Sequence, residues 1–281
     1  AAQRLEAEEL VLPMPQPLLN LQPTADPMRF RLEVTPQLCV GPREHVFMFG
    51  GVGLASAVEA AKRVAGRELI WATAQYLSYA RPGSVLEVDV RLPVQGHNIT
   101  QAVINLHCGD EVIISATAAL GDRTGCPEHQ WFDLPAMPPP QDCTDWMAWD
   151  HQTGELMRRL EVRVAPDSVA LAPRLGVPDP SGRMQMWMRP REDVAVDATL
   201  LALLGDFVPT GAGVALGLDG GGNSLDNTLR LRRVVPTEWV LCDIQMSSAD
   251  RGFAHGHLRL FTQDGTLMAT ASQSLVLRWR K

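Results

Sequence analysis

Apolar and polar residues follow the same succession of patterns twice along this chain. An almost wholly apolar helix is predicted from about Val52 to Ala65, and Gly66 is placed to end it in a left-handed cap. Four strand-like runs follow with only short turns between them: they are residues 69–79, 84–94, 98–108 and 111–120. A sheet wrapped around one central helix accommodates both the buried helix and the four long antiparallel strands.

The second succession begins at a strand-like run, MQMWMRP, near residue 184. The segment DATLLALLGDF predicts another apolar helix, which starts at an Asp197 cap and stops before Pro209. The glycine-rich segment GAGVALGLDGGGN is predicted to be a loop. Four more strands are predicted after it: they are residues 224–234, 238–248, 252–262 and 266–278.

A nearly constant offset relates the two successions. Adding 154 to a residue number takes Pro82 to Pro236. A one-residue insertion in the last hairpin of the second succession makes the offset 155, which takes Leu120 to Leu275. The matched order and length of the elements predict an internal duplication. The expected fold class is therefore α+β, with two repeats that each consist of an antiparallel sheet wrapped around a central helix.

Three regions are expected. Residues 1–121 comprise a loosely structured lead-in, up to about residue 26, and the first repeat. Residues 122–180 are rich in proline and are predicted to be a linker with some structure of its own. Within it, QTGELMRRLEVRVA is compatible with a short helix or a strand. Residues 181–281 form the second repeat and carry the candidate catalytic residues.

Composition and charge narrow the classes of function. The 281 residues are 46% hydrophobic and 20% charged, which is enough for two units with cores of their own. A formal net charge of -7 gives no basic excess for a nucleic-acid partner. Five well-separated cysteines suit reduced thiols and form no metal-binding motif. The acidic, proline-containing start and the lack of a run of about 20 apolar residues predict a cytoplasmic protein without a membrane span.

Two segments resemble the acyl-CoA thioesterase II family, the double hot-dog thioesterases. The first is FGGVGLASAVEAAKRV with QYLSYARPGSVLEVDV, and the second is SLDNTLRLRRVVPTEWVLCDIQMSSADRGFAHGHLRLFTQDGTLMATASQSLVLR. The resemblance covers about residues 43–121 and 182–278. It implies a double hot-dog fold and hydrolysis of fatty acyl-CoA to free acid and CoA, with no metal or redox cofactor. Hot-dog proteins usually associate, so a homo-oligomer is expected by analogy.

Members of that family position a water molecule with an Asp, a Thr or Ser, and a Gln. The resemblance places these roles on Asp206, Ser224 and Gln273. The sequence departs from the family at Asn227-Thr228, where a His-Ser pair is common, and at Val52, where Phe-Gly-Gly-Gln is common. A His-rich strand start in the family is here Trp-Ala-Thr-Ala, at 71–74.

The chemistry of these residues suits thioester hydrolysis. Asp206 follows an apolar run, so proximity to apolar surface and to the negative end of a helix is expected to raise its pKa and make it a better base. Ser224 and Gln273 offer uncharged groups that can hold the water. Taken singly, Asp206 has the alternative of a helix-end acid that faces solvent, whereas Ser224 is as readily a turn residue and Gln273 as readily a surface residue.

The first repeat has apolar residues at the matching positions. The offsets pair Ser224 with Ile70 and Gln273 with Ala118, so its own site is expected to be silent. The start of its helix, at Gly51 and Val52, is predicted to present free backbone amides to the thioester oxyanion. The alternative is that the glycines only allow the helix to pack closely against the sheet.

Other classes of function are less well supported. GGVGLAS resembles a dinucleotide-binding turn, but no acidic residue ends the next strand. A hydratase needs a His near Asp206, and a serine hydrolase needs a GxSxG turn, and neither is present. His255 and His257 have no third metal ligand beside them. A non-catalytic acyl-CoA-binding protein stays open as the alternative. The path of an acyl tail relative to Trp187, Met188 and Phe207 also stays open.

Overall fold

An antiparallel sheet forms the framework of the protein in the computed structural model. The structure describes residues 18–42, 44–146, 155–172, 175–218 and 220–278. The strands are β1 Gln22–Pro23, β2 Arg29–Glu33, β3 Cys39–Val40, β4 Phe47–Met48, β5 Leu69–Tyr76, β6 Val85–Gln95, β7 Ile99–Cys108, β8 Glu111–Gly121, β9 Thr144–Asp145, β10 Leu160–Val164, β11 Arg183–Pro190, β12 Gly222–Leu231, β13 Val240–Asp250, β14 Phe253–Thr262 and β15 Leu267–Leu277.

Thirteen of these strands make one sheet, in the order β1-β2-β6-β7-β8-β5-β12-β15-β14-β13-β11-β10-β9, and β3 pairs with β4. The α-helices are α1 Gly50–Ala65, α2 Ala198–Leu204 and α3 Val208–Leu216. Short 3-10 turns occupy Pro36–Leu38, Pro140–Asp142, Glu155–Arg159 and Val169–Leu171.

The first half agrees with the sequence pattern. Helix α1 packs against β5, β6, β7 and β8, and ten of its residues are buried. It ends at Gly66, whose φ of 62° places it in the left-handed region that favours glycine. The predicted central helix and its four strands are therefore confirmed, because the buried faces are apolar apart from Ser56 and Thr100.

The central helix of the second half is not the predicted one. The segment predicted as a glycine-rich loop contains α3, which packs against β11 to β15, whereas α2 packs against α1. Pro209 does not stop a helix but lies in the first turn of α3, where a missing N–H is tolerated. A side chain on Gly211 would reach within 2.5 Å of the Ile244 Cγ2 atom, so glycine allows α3 to lie close to the sheet.

The two halves share one sheet because β5 pairs with β12. In this ladder Thr73 is opposite Thr228, and Ala74 is opposite Asn227. The sheet therefore continues from one half into the other without an open edge between them.

The strand registers refine the offset between the halves. Adding 155 to the pair Leu69 and Leu120 gives the pair Ser224 and Leu275, and each pair is followed by the same one-residue register shift. The counterpart of Ser224 is therefore Leu69, and the expected pairing with Ile70 is wrong by one residue. The offset is 154 in the next strands, where the pair Val90 and Ile104 corresponds to the pair Ile244 and Leu258, so the connection after β12 is one residue shorter than the connection after β5.

The lead-in and the proline-rich region also contribute to the sheet. Strand β1 lies inside the predicted lead-in and pairs with β2, while residues 1–17 lie outside the described part of the chain. In the predicted linker, Glu155–Arg159 is a 3-10 turn that leads directly into β10, and β10 pairs with β11. The domain boundary at residue 181 stays a prediction.

Within the described residues, one helical stretch is long and apolar enough to cross a membrane. This stretch, Ala198–Leu216, comprises α2, α3 and the turn between them, and 83% of its most apolar window is buried inside the protein. Burial of that extent is typical of helices in a protein core.

Candidate active site

The three residues singled out in the sequence lie together. Asp206 occupies the turn between α2 and α3, Ser224 lies on β12, and Gln273 lies on β15. The Ser224 hydroxyl donates to Asp206 Oδ1 at 3.3 Å. The Gln273 amide donates to the same carboxylate oxygen and to Ser224 Oγ, the latter at 2.6 Å. The three side chains thus form one hydrogen-bonded cluster; their catalytic roles stay a prediction.

Close packing of α3 on the sheet brings these elements into contact. Gly256 on β14 is opposite Gln273 on β15, and a side chain on Gly256 would come within 2.8 Å of Val208 Cγ1 at the start of α3. Because Gly256 leaves this space free, the turn that carries Asp206 reaches the Gln273 amide.

Asn227 is a fourth member of the cluster. From the sequence it was visible only as a departure from the family pattern. Its amide nitrogen donates to the Gly205 carbonyl at 3.1 Å and to Asp206 Oδ1 at 3.4 Å. The side chain is fully buried. The alternation of side chains along β12 could have identified Asn227 as a buried residue, because it places Asn227 on the same inward face as Leu229.

The start of α1, in the first half, touches the carboxylate from the other side. The Gly51 backbone N–H donates a hydrogen bond to Asp206, and a side chain on Gly50 would lie 2.6 Å from Asp206 Oδ2. The Val52 N–H donates to the Phe49 carbonyl at 3.0 Å. The Gly51 N–H thus faces the carboxylate, and the Val52 N–H is bonded at the start of its own helix. The oxyanion role of Gly51 and Val52 stays a prediction.

Tyr76, at the end of β5, also lies beside the cluster. An added Cβ on Gly50 would be 3.1 Å from its Cε1 atom. The hydroxyl is buried next to Asn227 but makes no hydrogen bond of ordinary geometry. Burial, followed by the negative charge of Asp206, raises the pKa of Tyr76 well above its ordinary value, so the phenol stays protonated.

Burial dominates the electrostatics of Asp206, which is only 2% exposed. Removal from water raises the pKa of Asp206 to about 7, although hydrogen bonds from Gln273, Gly51, Ser224 and Asn227 favour the carboxylate. The helix dipole adds less than expected. Asp206 follows the negative end of α2 but directly precedes the positive end of α3, and these two effects oppose each other.

A cavity of about 990 Å³ opens beside the cluster. Asp206, Ser224 and Tyr76 line it, and apolar side chains from both halves line much of the remainder: they include Val46, Phe47, Phe49, Phe207, Val214 and Leu218. Arg81 and Arg278 also line it. Of the three residues whose position relative to an acyl tail was open, only Phe207 lines this cavity, since Trp187 packs in a separate cluster and Met188 lies in the main core.

Comparison with known proteins identifies the family. Residues 42–121 match the model of the acyl-CoA thioesterase N-terminal domain, and residues 139–277 match that of the C-terminal domain. A candidate thioesterase from Novosphingobium aromaticivorans, of known crystal structure, is 33% identical. The alignment covers 92% of this chain and 98% of that one, with a TM-score of 0.84. The chain belongs to the acyl-CoA thioesterase family. A search of curated proteins found no match.

Two further structures are similar to this thioesterase in fold. An acyl-CoA thioesterase II, TesB2, from Mycobacterium marinum is 23% identical, with a TM-score of 0.72 and coverage of 93% and 97% of the two chains. A hot-dog protein from Alicyclobacillus acidocaldarius is 20% identical, with a TM-score of 0.79 and coverage of 93% and 96%. The resemblance to a hot-dog thioesterase is therefore confirmed, and the protein is a thioesterase enzyme built on a large antiparallel sheet.

Metal-binding groups do not cluster in the part of this thioesterase that the structure describes. No three His, Cys, Asp or Glu side chains among these residues are arranged to hold a metal ion. His255 and His257 lie two residues apart on β14, and His255 is exposed. Asp206 is an acidic residue of the cavity lining, which also includes His45, Arg81 and Arg278.

Proposed function

We propose that this thioesterase hydrolyses acyl-CoA to free fatty acid and CoA, with Asp206 as the general base and Ser224 and Gln273 orienting the attacking water. The observation that carries the proposal is one buried carboxylate whose Oδ1 atom accepts three neutral side-chain donors beside an apolar cavity. Such a network fixes the carboxylate without neutralising it, because none of the donors carries a charge.

The reaction follows from this arrangement. Asp206 Oδ1 accepts the side-chain donors, while Oδ2 lies against the backbone of Gly50, which also lines the cavity. With a pKa of about 7, the carboxylate is partly ionised at neutral pH and can take a proton from water. The water oxygen bonds to the thioester carbon, the C–S bond then breaks, and the CoA sulfur receives the proton that Asp206 had taken.

The cavity suits both parts of an acyl-CoA. Its apolar side chains offer an acyl chain a surface to pack against, and its volume of about 990 Å³ is in the range of ligand pockets. Arg81 and Arg278 line the same cavity and are exposed, so their positive charges can reach phosphate groups despite the acidic protein surface.

We also infer that the two halves are copies of one hot-dog unit, with a single working site in the second. The equal registers of β5–β8 and β12–β15 support this duplication. Leu69 and Ala118 stand where the second half has Ser224 and Gln273, so the first half lacks the polar groups of the site. A cytoplasmic location and a homo-oligomer stay predictions.

The decisive experiment compares the wild type with Asp206→Asn on acyl-CoAs of short, medium and long chain, by measuring release of the CoA thiol. We expect hydrolysis by the wild type and a loss of about 10²–10⁴-fold in the variant, which is the usual contribution of a general base. Asp197→Asn is the matched control, since asparagine can also cap the start of α2.

Two results would contradict the proposal. Equal activity of Asp206→Asn and the wild type would remove Asp206 from the mechanism. Tight binding of acyl-CoA by the wild type without any release of thiol would support the alternative, an acyl-CoA-binding protein.

A further inference from the structure

We propose that Tyr76, from the first half, is a further catalytic residue whose hydroxyl donates a hydrogen bond to the carbonyl oxygen of the thioester. The inference rests on the proposed function. It makes the site composite, because β5 of one half then supplies the oxyanion donor and the other half supplies the base and the groups that hold the water.

Hydrolysis of a thioester places negative charge on the carbonyl oxygen as water attacks, and a fixed donor at that oxygen lowers the barrier. The backbone amides predicted for this task are engaged elsewhere. The Gly51 N–H is directed to Asp206, and the Val52 N–H is directed to the Phe49 carbonyl. Another donor beside Asp206 would complete the site.

Tyr76 has the position that this task requires. Its ring and the Asp206 Oδ2 atom both approach the Cα of Gly50, since an added Cβ there would lie 3.1 Å from Tyr76 Cε1 and 2.6 Å from Oδ2. All three residues line the cavity. A carbonyl carbon attacked by water beside Oδ2 would therefore lie within reach of the phenol as well.

The Tyr76 hydroxyl is also available to donate. It is buried and makes no hydrogen bond of ordinary geometry, although the Asn227 side chain lies close enough to interact with it. A buried hydroxyl without a partner lowers the stability of a fold, so its presence is typical of groups that are retained for function. The nearby carboxylates of Asp206 and Asp226 favour the neutral phenol, which is the form that donates.

The step balances without any further reactant. The water oxygen forms the new bond to carbon while its proton passes to Asp206, and the electron pair of the C=O bond moves to the oxygen held by Tyr76. When that pair returns, the C–S bond breaks and the sulfur takes the proton from Asp206. Tyr76 keeps its own proton throughout, so its role is electrostatic stabilisation.

A different role is open to the same residue and has a different signature. The Asn227 Oδ1 atom next to Tyr76 is also buried without a hydrogen bond. If Tyr76 acted by orienting Asn227, its loss would change the environment of Asp206 and would shift the pH dependence of the reaction. A donor to the substrate would leave that dependence in place and would lower kcat alone.

The test compares Tyr76→Phe with a control, Thr73→Val. The control removes a hydroxyl from the same strand, one that bonds to the Thr228 hydroxyl. We expect kcat of Tyr76→Phe to fall by about 10²-fold, the usual effect of losing one oxyanion donor, with KM and the acid limb of the pH profile unchanged. The melting temperature should stay the same or rise, because an unpartnered buried hydroxyl is removed. Thr73→Val should keep the wild-type kcat.

Three results would overturn the inference: a kcat within about twofold of the wild type, a shifted acid limb, or a loss of activity that follows a lower melting temperature. If the wild type hydrolyses acyl-CoA and only Asp206→Asn is inactive, the proposed function stands and the role of Tyr76 falls. If the wild type hydrolyses no acyl-CoA, both fall together.

Discussion

The hydroxyl groups of Thr73 and Thr228 form a hydrogen bond of 2.7 Å where the sheets of the two halves join. The two residues are directly opposite each other in the β5–β12 ladder, and adding 155 to the first gives the second. Each threonine therefore meets its own counterpart, as is usual at the centre of an isologous contact between two identical subunits.

Loss of this contact should weaken the join without affecting catalysis. We expect the Thr73→Val and Thr228→Val variants to show non-additive losses of unfolding free energy, with a coupling of about 1 kcal/mol. Urea unfolding of both single variants and the double variant measures the coupling. Strictly additive losses would show that the hydrogen bond contributes nothing to stability.

The pH dependence of hydrolysis should respond to Gln273. Its amide donates to the Asp206 carboxylate and favours the ionised form, so Gln273→Ala should raise the pKa of Asp206 above about 7. The acid limb of kcat/KM should then move to higher pH, and kcat/KM at neutral pH should fall. Gln245→Ala is the control, because that amide donates to backbone carbonyls next to β11. If the acid limb of kcat/KM does not move in Gln273→Ala, that limb reports the ionisation of a group other than Asp206.

Stability should also depend on pH through Asp206. Its pKa is raised to about 7 by burial, so between about pH 4 and 7 the folded protein holds a proton that the unfolded chain has lost. The contribution of Asp206 to the free energy of unfolding therefore decreases as pH rises through that window, by about 4 kcal/mol at most.

Asp206→Asn removes this dependence, so it should be more stable than the wild type above pH 7 and lose that advantage towards pH 4. Thermal or urea unfolding at several pH values tests this, with Asp250→Asn, which changes an exposed carboxylate, as the control. A constant difference between Asp206→Asn and the wild type across the range would contradict the raised pKa.

A methyl group at Gly50 should disturb the site directly. Its carbon would lie 2.6 Å from Asp206 Oδ2 and 3.1 Å from Tyr76 Cε1, which is too close for either contact. We expect Gly50→Ala to reduce kcat/KM by about tenfold or more, as displacements near 1 Å do. Ser56→Ala, on the same helix, should keep its activity since only a hydroxyl bonded to the Val52 carbonyl is lost. Full activity of Gly50→Ala would show that the carboxylate does not act from this position.

Much of the fold could be predicted because its signals are local. The eight strands predicted after the two helices are long, mostly apolar on their inward faces and separated by clear turns, and Gly66 marks the end of α1. Helix α3 could not be predicted in the same way. Its glycines and Pro209 are poor helix formers in isolation, and the helix is stabilised by packing against five strands of the second half.

The site could be predicted only in part, for a related reason. Family resemblance pointed to Asp206, Ser224 and Gln273, whereas spacing alone would not have brought together residues from a turn and two strands. Asn227 was visible as a polar residue on an inward face. Tyr76 was not, because Asp206 and Asn227, the site residues beside it, belong to the other half, and strand alternation reports only which face it occupies.

The ladder between β5 and β12 joins two unequal halves of one polypeptide into a single sheet. In a symmetric assembly of identical subunits every substitution appears twice, so a change that favours one active centre alters the other as well. Here Leu69 and Ala118 can vary while Ser224 and Gln273 stay fixed. On the proposed duplication, a substitution at Leu69 or Ala118 would therefore change the packing of the first half while leaving the Ser224 and Gln273 side chains of the second half as they are.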